Sequence, residues 1–135
     1  MLVDHLSEAW LAAVDGELEA RDRLRVVASR CPLGLTQVVT GAGAGGVDLV
    51  YHLTSHGGAV RCGWGAARPE DVRITSDATT TGDIGAGRRN VKEAFITGQV
   101  TVVGDQRLLL ESNELLAALD DVMAVVAART RFADA

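Results

Sequence analysis

The apolar residues of this chain change their period twice, and that limits the fold more than any single motif. Near the start Trp10, Val14 and Leu18 recur at four-residue spacing, with Leu11 widening the stripe. This is the pattern of a helix with one buried face. Ser7 stands where an N-cap is needed. A second helical piece over Asp22–Ser29 carries Leu24, Val27 and Ala28 and is closed off by Pro32. From Leu35 the period drops to two. Leu35–Thr40 is rich in strand formers, Val47, Leu49, Tyr51 and Leu53 alternate with Asp48, Val50, His52 and Thr54, and Val60, Cys62 and Trp64 alternate again. With a short strand around Val72, Ile74 and Ser76, this predicts an antiparallel meander with one apolar face. Asp77 reads as an N-cap, although the glycine- and threonine-rich 78–87 segment is a poor helix former. A short helix at 90–96 and a last strand at 99–103 follow, with Gly104 and Asp105 as its turn. The helical period then returns over Gln106–Arg129, placing Leu108, Leu115, Leu119, Val122, Met123 and Val126 on one face. Helices, a sheet and a closing helix make an α+β chain. Its 135 residues suit a single domain over 1–135.

Several function classes are excluded or weakened. The formal charge is −5, which disfavours a nucleic-acid partner. The longest apolar run, around 122–128, is far too short to span a membrane, and Asp4, His5 and Glu8 interrupt any signal-like start. A cytoplasmic location is expected, with Cys31 and Cys62 as two ordinary thiols. Gly41, Gly43 and Gly46 match G-x-G-x-x-G, but a strand follows them. No helix N-terminus is therefore available for a pyrophosphate, and a hairpin loop is the better reading. His5, His52 and His56 have no metal-ligand spacing. Tyr51, His52, Asp77, Asp83, Asp105 and Glu111 could each do acid–base work, yet none is tied by spacing to a nucleophile or a second base. Asp105 reads as a turn residue.

Residues 94–105, AFITGQVTVVGD, resemble the signature of the sterol carrier protein 2 family, in which a short helix and a Gly turn lead into a strand ending in Gly-Asp before the final helix. Ala94, Phe95, Gly98, Val100, Val102, Gly104 and Asp105 occupy those places. Upstream, 72–77 (VRITSD) is similar to the family's strand and the Asp opening its next helix. Downstream, 115–132 resembles the C-terminal helix of small actinobacterial members, and the start at 10–15 is similar to theirs. The resemblance implies a twisted, five-stranded, mainly antiparallel sheet covered by helices, with a hydrophobic tunnel under the C-terminal helix. It also implies binding and transport of a sterol, fatty acid, fatty acyl-CoA or other lipid, with no cofactor and no metal. On that basis Tyr51, Leu53, Trp64, Ile74, Phe95, Val100, Val102, Leu115, Leu119 and Met123 are the expected lipid-binding residues. Arg88 and Arg89 stand where a carboxylate or phosphate could be met. A bacterial, cytoplasmic carrier with at most transient membrane contact and no catalytic residue is the first expectation. The rivals are a cyclase or isomerase of secondary metabolism, using Tyr51, His52 or Asp83 in the same cavity, and a filled-core interaction module without ligand. In the module, Trp10 and Trp64 serve packing or a homodimer interface.

Overall fold

The computed structural model describes residues 2–132. A two-residue strand β1 (Val3–Asp4) leads into α1 (Glu8–Glu19) and α2 (Asp22–Ala28). Ser7 caps α1 by accepting a hydrogen bond from the Trp10 amide at 3.2 Å, satisfying one of the donors that every helix start leaves open. The buried faces are Trp10, Leu11, Val14 and Leu18 on α1 and Leu24, Val27 and Ala28 on α2, as their spacing predicts. Strands β2 (Leu33–Thr40), β3 (Leu49–His56), β4 (Ala59–Trp64) and β5 (Val72–Asp77) follow, then α3 (Ala78–Gly85) and α4 (Val91–Ile96). The order ends with β6 (Val100–Gly104), α5 (Gln106–Glu111), α6 (Asn113–Ala127) and β7 (Thr130–Arg131).

Strands β2 to β6 form one sheet in the order β4-β3-β2-β5-β6, while β1 and β7 pair in parallel as a small separate ribbon. The antiparallel meander holds from β2 to β4, but β5 runs parallel to β2 and antiparallel to β6. The sheet is therefore mixed, which corrects the all-meander reading. A tight hairpin cannot deliver a parallel strand; here the 65–71 segment crosses the outer side of the sheet to do so. It is held there by the Ala67 amide donating to Thr36 Oγ1 at 2.9 Å and the Gly34 amide donating to the Asp71 carboxylate at 2.7 Å. Gly34 permits this approach, because a side-chain carbon at that position would collide with the Pro69 carbonyl oxygen.

The last helix also differs from expectation. It breaks at Ser112, where the backbone leaves helical geometry and the hydroxyl donates to the Leu108 carbonyl at 2.8 Å. This local bond competes with helix continuation. Helices α1 and α2 pack on α6, and both also lie over β4. One buried cluster joins them, running from Trp10, Val14 and Leu18 through Leu33, Leu35, Val39, Tyr51, Val60 and Val72 to Leu115, Leu119, Val122 and Val126.

Candidate functional site

Strand alternation sorts the sheet into two chemically different faces. Leu35 lies between Leu53 and Val72, Gln37 between Tyr51 and Ile74, and Val39 between Leu49 and Ser76. The same inner face continues to Cys62 and Trp64 on β4 and to Val102 and Val100 on β6. It carries no carboxylate, ammonium or guanidinium on β2 to β6. The charged strand residues Arg61 and Arg73 fall at the alternate positions. Arg73 pairs with Glu70 at 2.9 Å, and Arg61 reaches around the sheet edge to Asp15 on α1 at 2.9 Å. The Asp15 carboxylate also accepts the Cys62 amide at 3.1 Å, which blunts the free edge of β4. The Arg61 hydrogen bonds hold the Asp15 carboxyl below its ordinary range.

The ten expected lipid-binding residues fall into three settings. Tyr51, Val100, Leu115 and Leu119 are buried. Leu53, Ile74, Val102 and Met123 are only partly buried, packed against the core cluster. Trp64 and Phe95 are exposed to 41% and 48%, Trp64 on the edge strand opposite Tyr51 and Phe95 on α4. The second group is the informative one. Leu108 and Leu109 of α5 and Leu116 of α6 are half-buried against the same core cluster. On the α1 side burial is more complete. Trp10 meets Tyr51 edge-on at 5.5 Å, and His5 meets Trp10 edge-on at 5.1 Å and Phe132 at 4.7 Å. This row of four rings is not legible in the sequence, since its members are scattered from position 5 to position 132. Burial lowers the His5 pKa from 6.5 to about 4 and raises that of Tyr51.

The acid–base candidates do not converge. Tyr51 is on the inner face, while His52, on the outer face, has its Nδ1 at 3.1 Å from the Gly65 carbonyl oxygen. Asp83 pairs with Arg88 at 3.0 Å and Glu111 with Arg107 at 3.1 Å. Asp77 caps α3 through the Thr80 amide at 2.7 Å. Asp105, expected as a turn residue, caps α5 by accepting from the Leu108 amide at 2.9 Å. The glycine-rich 41–46 segment is the β2–β3 connection, with Gly41, Gly45 and Gly46 at positive φ. The two cysteines are free thiols; burial pushes Cys62 up to about 12. Among the described residues no group of three His, Cys, Asp or Glu side chains could hold a metal ion.

Two hollows open elsewhere. One of about 120 Å³ lies between α2 and α6, with Leu24, Val27 and Val122 at its base and Arg21, Arg23, Glu114 and Asp121 at its rim. The other, about 540 Å³, is an open groove between the end of α1 and the start of β4, bounded by Glu19, Arg25 and Arg61. Neither is lined by an expected lipid-binding residue. Their charged rims contrast with the half-buried apolar side chains of β5, β6, α5 and α6.

No protein-family model and no curated protein sequence matches the chain. Solved structures do. A crystal structure of sterol carrier protein 2 superposes with a TM-score of 0.69 at 24% identity, covering 89% of this chain and 97% of the other. Sterol carrier protein 2 from Yarrowia lipolytica, in its apo form, gives 0.62 at 13% identity, covering 88% of each chain. The sterol carrier protein domain 2 of Helicoverpa armigera gives 0.60 at 16%, covering 94% of this chain and 91% of the other. The likeness read from residues 94–105 thus extends to the course of nearly the whole chain: it has the sterol carrier protein 2 fold.

Proposed function

We propose that the protein binds a small apolar molecule in the seam between the inner face of β5–β6 and the α5–α6 arm, and carries it without changing it. The observation that carries this reading is the pairing of a charge-free inner face with apolar side chains left half-buried on both the sheet and the helices. Such groups gain about 25 cal/mol for each Å² removed from water, so an apolar guest that wedges into the seam is stabilised by area alone. Met123 supplies an unbranched, adaptable contact. The structural neighbours named as sterol carrier proteins support the same reading. Carriage rather than turnover accords with acid–base candidates that lie on opposite faces or in ion pairs. No described helix is long and apolar enough to cross a membrane. In this reading membrane contact is transient and the setting cytoplasmic.

The test is native mass spectrometry of freshly purified protein, followed by organic extraction. The expected result is a co-purified mass of a few hundred daltons, released on denaturation and identified as a lipid or isoprenoid. An apo mass that does not shift with added sterol, fatty alcohol, fatty acid or acyl-CoA would leave the seam without a ligand and overturn the reading.

A further inference from the structure

The five-stranded sheet ends in two edges of opposite character. At β4 the edge is sealed: α1 lies over the strand, the Asp15 carboxylate accepts the Cys62 amide, and Arg61 places a charge on it. At β6 none of these guards is present. Among the described residues β6 pairs with β5 alone, and its sequence, VTVVG, holds no charge and no proline. An unguarded edge is a template for a further strand.

The ladder fixes where the free backbone groups point. The Asp105 amide donates to the Asp71 carbonyl at 2.8 Å, and pairs in an antiparallel ladder alternate between bonded and non-bonded. Thr101 and Val103 therefore turn their amides and carbonyls toward Thr75 and Arg73 of β5, while Val100 and Val102 turn theirs to the open side. In agreement, the Val102 carbonyl accepts Gln106 Nε2 at 3.2 Å rather than a β5 amide. The amides of Val100 and Val102 are left without a ladder partner.

Apolar exposure gathers at the same edge. Ten large apolar side chains stand exposed among the described residues, and five of them lie within positions 91–110. They are Val91, Phe95 and Ile96 on α4, Val103 on β6 and Leu110 on α5. Helix α4 packs beside β6, and α5 begins directly after it.

We propose that β6 is an interface between two copies of this chain, paired antiparallel about a two-fold axis at Val102 into one continuous sheet. Full overlap of Val100–Gly104 sets Val102 opposite itself, Val100 opposite Gly104 and Thr101 opposite Val103. Open backbone groups then face open backbone groups. Thr101 and Val103 of the two copies form cross-strand pairs on the outer face, a kind of contact that stabilises sheets. The charges permit this register. The nearest one, Asp105, falls opposite the second copy's Gln99, whose carboxamide can donate to it, and not opposite itself. A lipid surface meets none of the open amides, whereas a second strand meets them together, and only the Gln106 bond is given up. A stable dimer removes about 1,200–2,000 Å² of surface in all. The edge of a five-residue strand falls short of that, so the exposed Ile96, Val103 and Leu110 supply the remainder. The association is accordingly weak, with a Kd of about 10–100 μM. This inference does not depend on the ligand-binding reading above.

Sedimentation equilibrium of the full chain between about 1 and 500 μM is expected to follow a monomer–dimer equilibrium. Val103→Lys and, separately, Thr101→Lys bring cations together across the axis and should weaken dimerisation at least about tenfold. Val26→Lys on α2 is the control, because Val26 and Val103 are each 60% exposed; it should leave the dimer at parental strength. Amide hydrogen exchange of the unaltered protein supplies a reading that no folding defect can blur. Exchange at Val100 and Val102 should slow about three- to tenfold between about 1 and 500 μM, with the amides of β4 unchanged. The proposal is overturned by a chain that stays monomeric throughout, by a dimer that both β6 lysine variants leave at parental strength, or by exchange at Val100 and Val102 that ignores concentration. A dimer lost in Val26→Lys places the contact on α2 and overturns it equally.

Discussion

At Gly104 a side chain has no room. The residue sits at φ +116°, and an added carbon would strike the Asp71 carbonyl oxygen, the same oxygen that accepts the Asp105 amide at 2.8 Å. Gly104→Ala should therefore destabilise the fold by about 2 kcal/mol or more, combining backbone strain with a clash. Chemical denaturation reads this directly; a loss below about 0.5 kcal/mol would mean that the β5–β6 end yields freely. The Gly-Asp pair is visible in the sequence, but its partner, Asp71, is not. His5 is hidden in the same way, because its rings are contributed by Trp10 and Phe132. Burial lowers its pKa from 6.5 to about 4. The unfolded chain takes up a proton below pH 6.5 while the folded one resists until about pH 4. The associated stability is thus complete above pH 6.5 and lost as pH falls through that window. His5→Phe should flatten the thermal-stability profile between pH 6.5 and 4 relative to the parent; parallel profiles would show that the buried imidazole is not the responsible group.

Among the elements, α3 shows how far local sequence can be trusted. ATTTGDIG has weak helix propensity, yet it forms a helix because Asp77 caps it and Thr80 is buried beneath. The cap is readable from the sequence, whereas the burial that rescues the helix depends on neighbouring elements. Asp77→Ala should cost about 1 kcal/mol. Amide exchange should accelerate about fivefold across 78–85 and remain unchanged in β2 and β5, since a lost cap acts on local opening. Uniform acceleration throughout the sheet would instead make α3 part of the global unfolding unit. The two misread elements failed for related reasons. The 106–129 period is continuous through Ser112, and only the bond of its hydroxyl to Leu108 marks the break. The alternation of β5 identifies a strand but carries no direction. Its parallel pairing is set by the 65–71 crossing and by Gly34, which hydropathy does not register.

Taken as one molecule, the chain buries the apolar faces of α1 and α2 and leaves apolar side chains of β5, β6 and α5 half-buried, and α6 carries residues of both kinds. On α6, Leu119 is buried in the core cluster, while Met123, one turn on, is only partly buried. Their spacing makes them equivalent in the sequence, since periodicity reports which side of a helix is apolar and not what meets it. The distinction predicts different costs. Leu119→Ala removes packed atoms and should destabilise the ligand-free protein by about 2–5 kcal/mol. Met123→Ala removes atoms whose contacts are incomplete and should cost less than about 1 kcal/mol, below the usual range for a fully packed methionine. The order reverses for the ligand-dependent part of stability. A ligand at 100 times its Kd stabilises the parent by about 2.7 kcal/mol. At that same concentration Met123→Ala should retain a smaller increment, because the ligand loses the contact that its wedging creates. Denaturation of both variants with and without 1-dodecanol separates the two contributions. If the two substitutions cost the same without ligand, and neither changes the ligand increment, the seam is ordinary core and α6 covers the sheet evenly. If Met123→Ala alone lowers the increment, the half-buried seam is where the ligand binds, and the incomplete packing of the free protein reflects a surface completed by its guest.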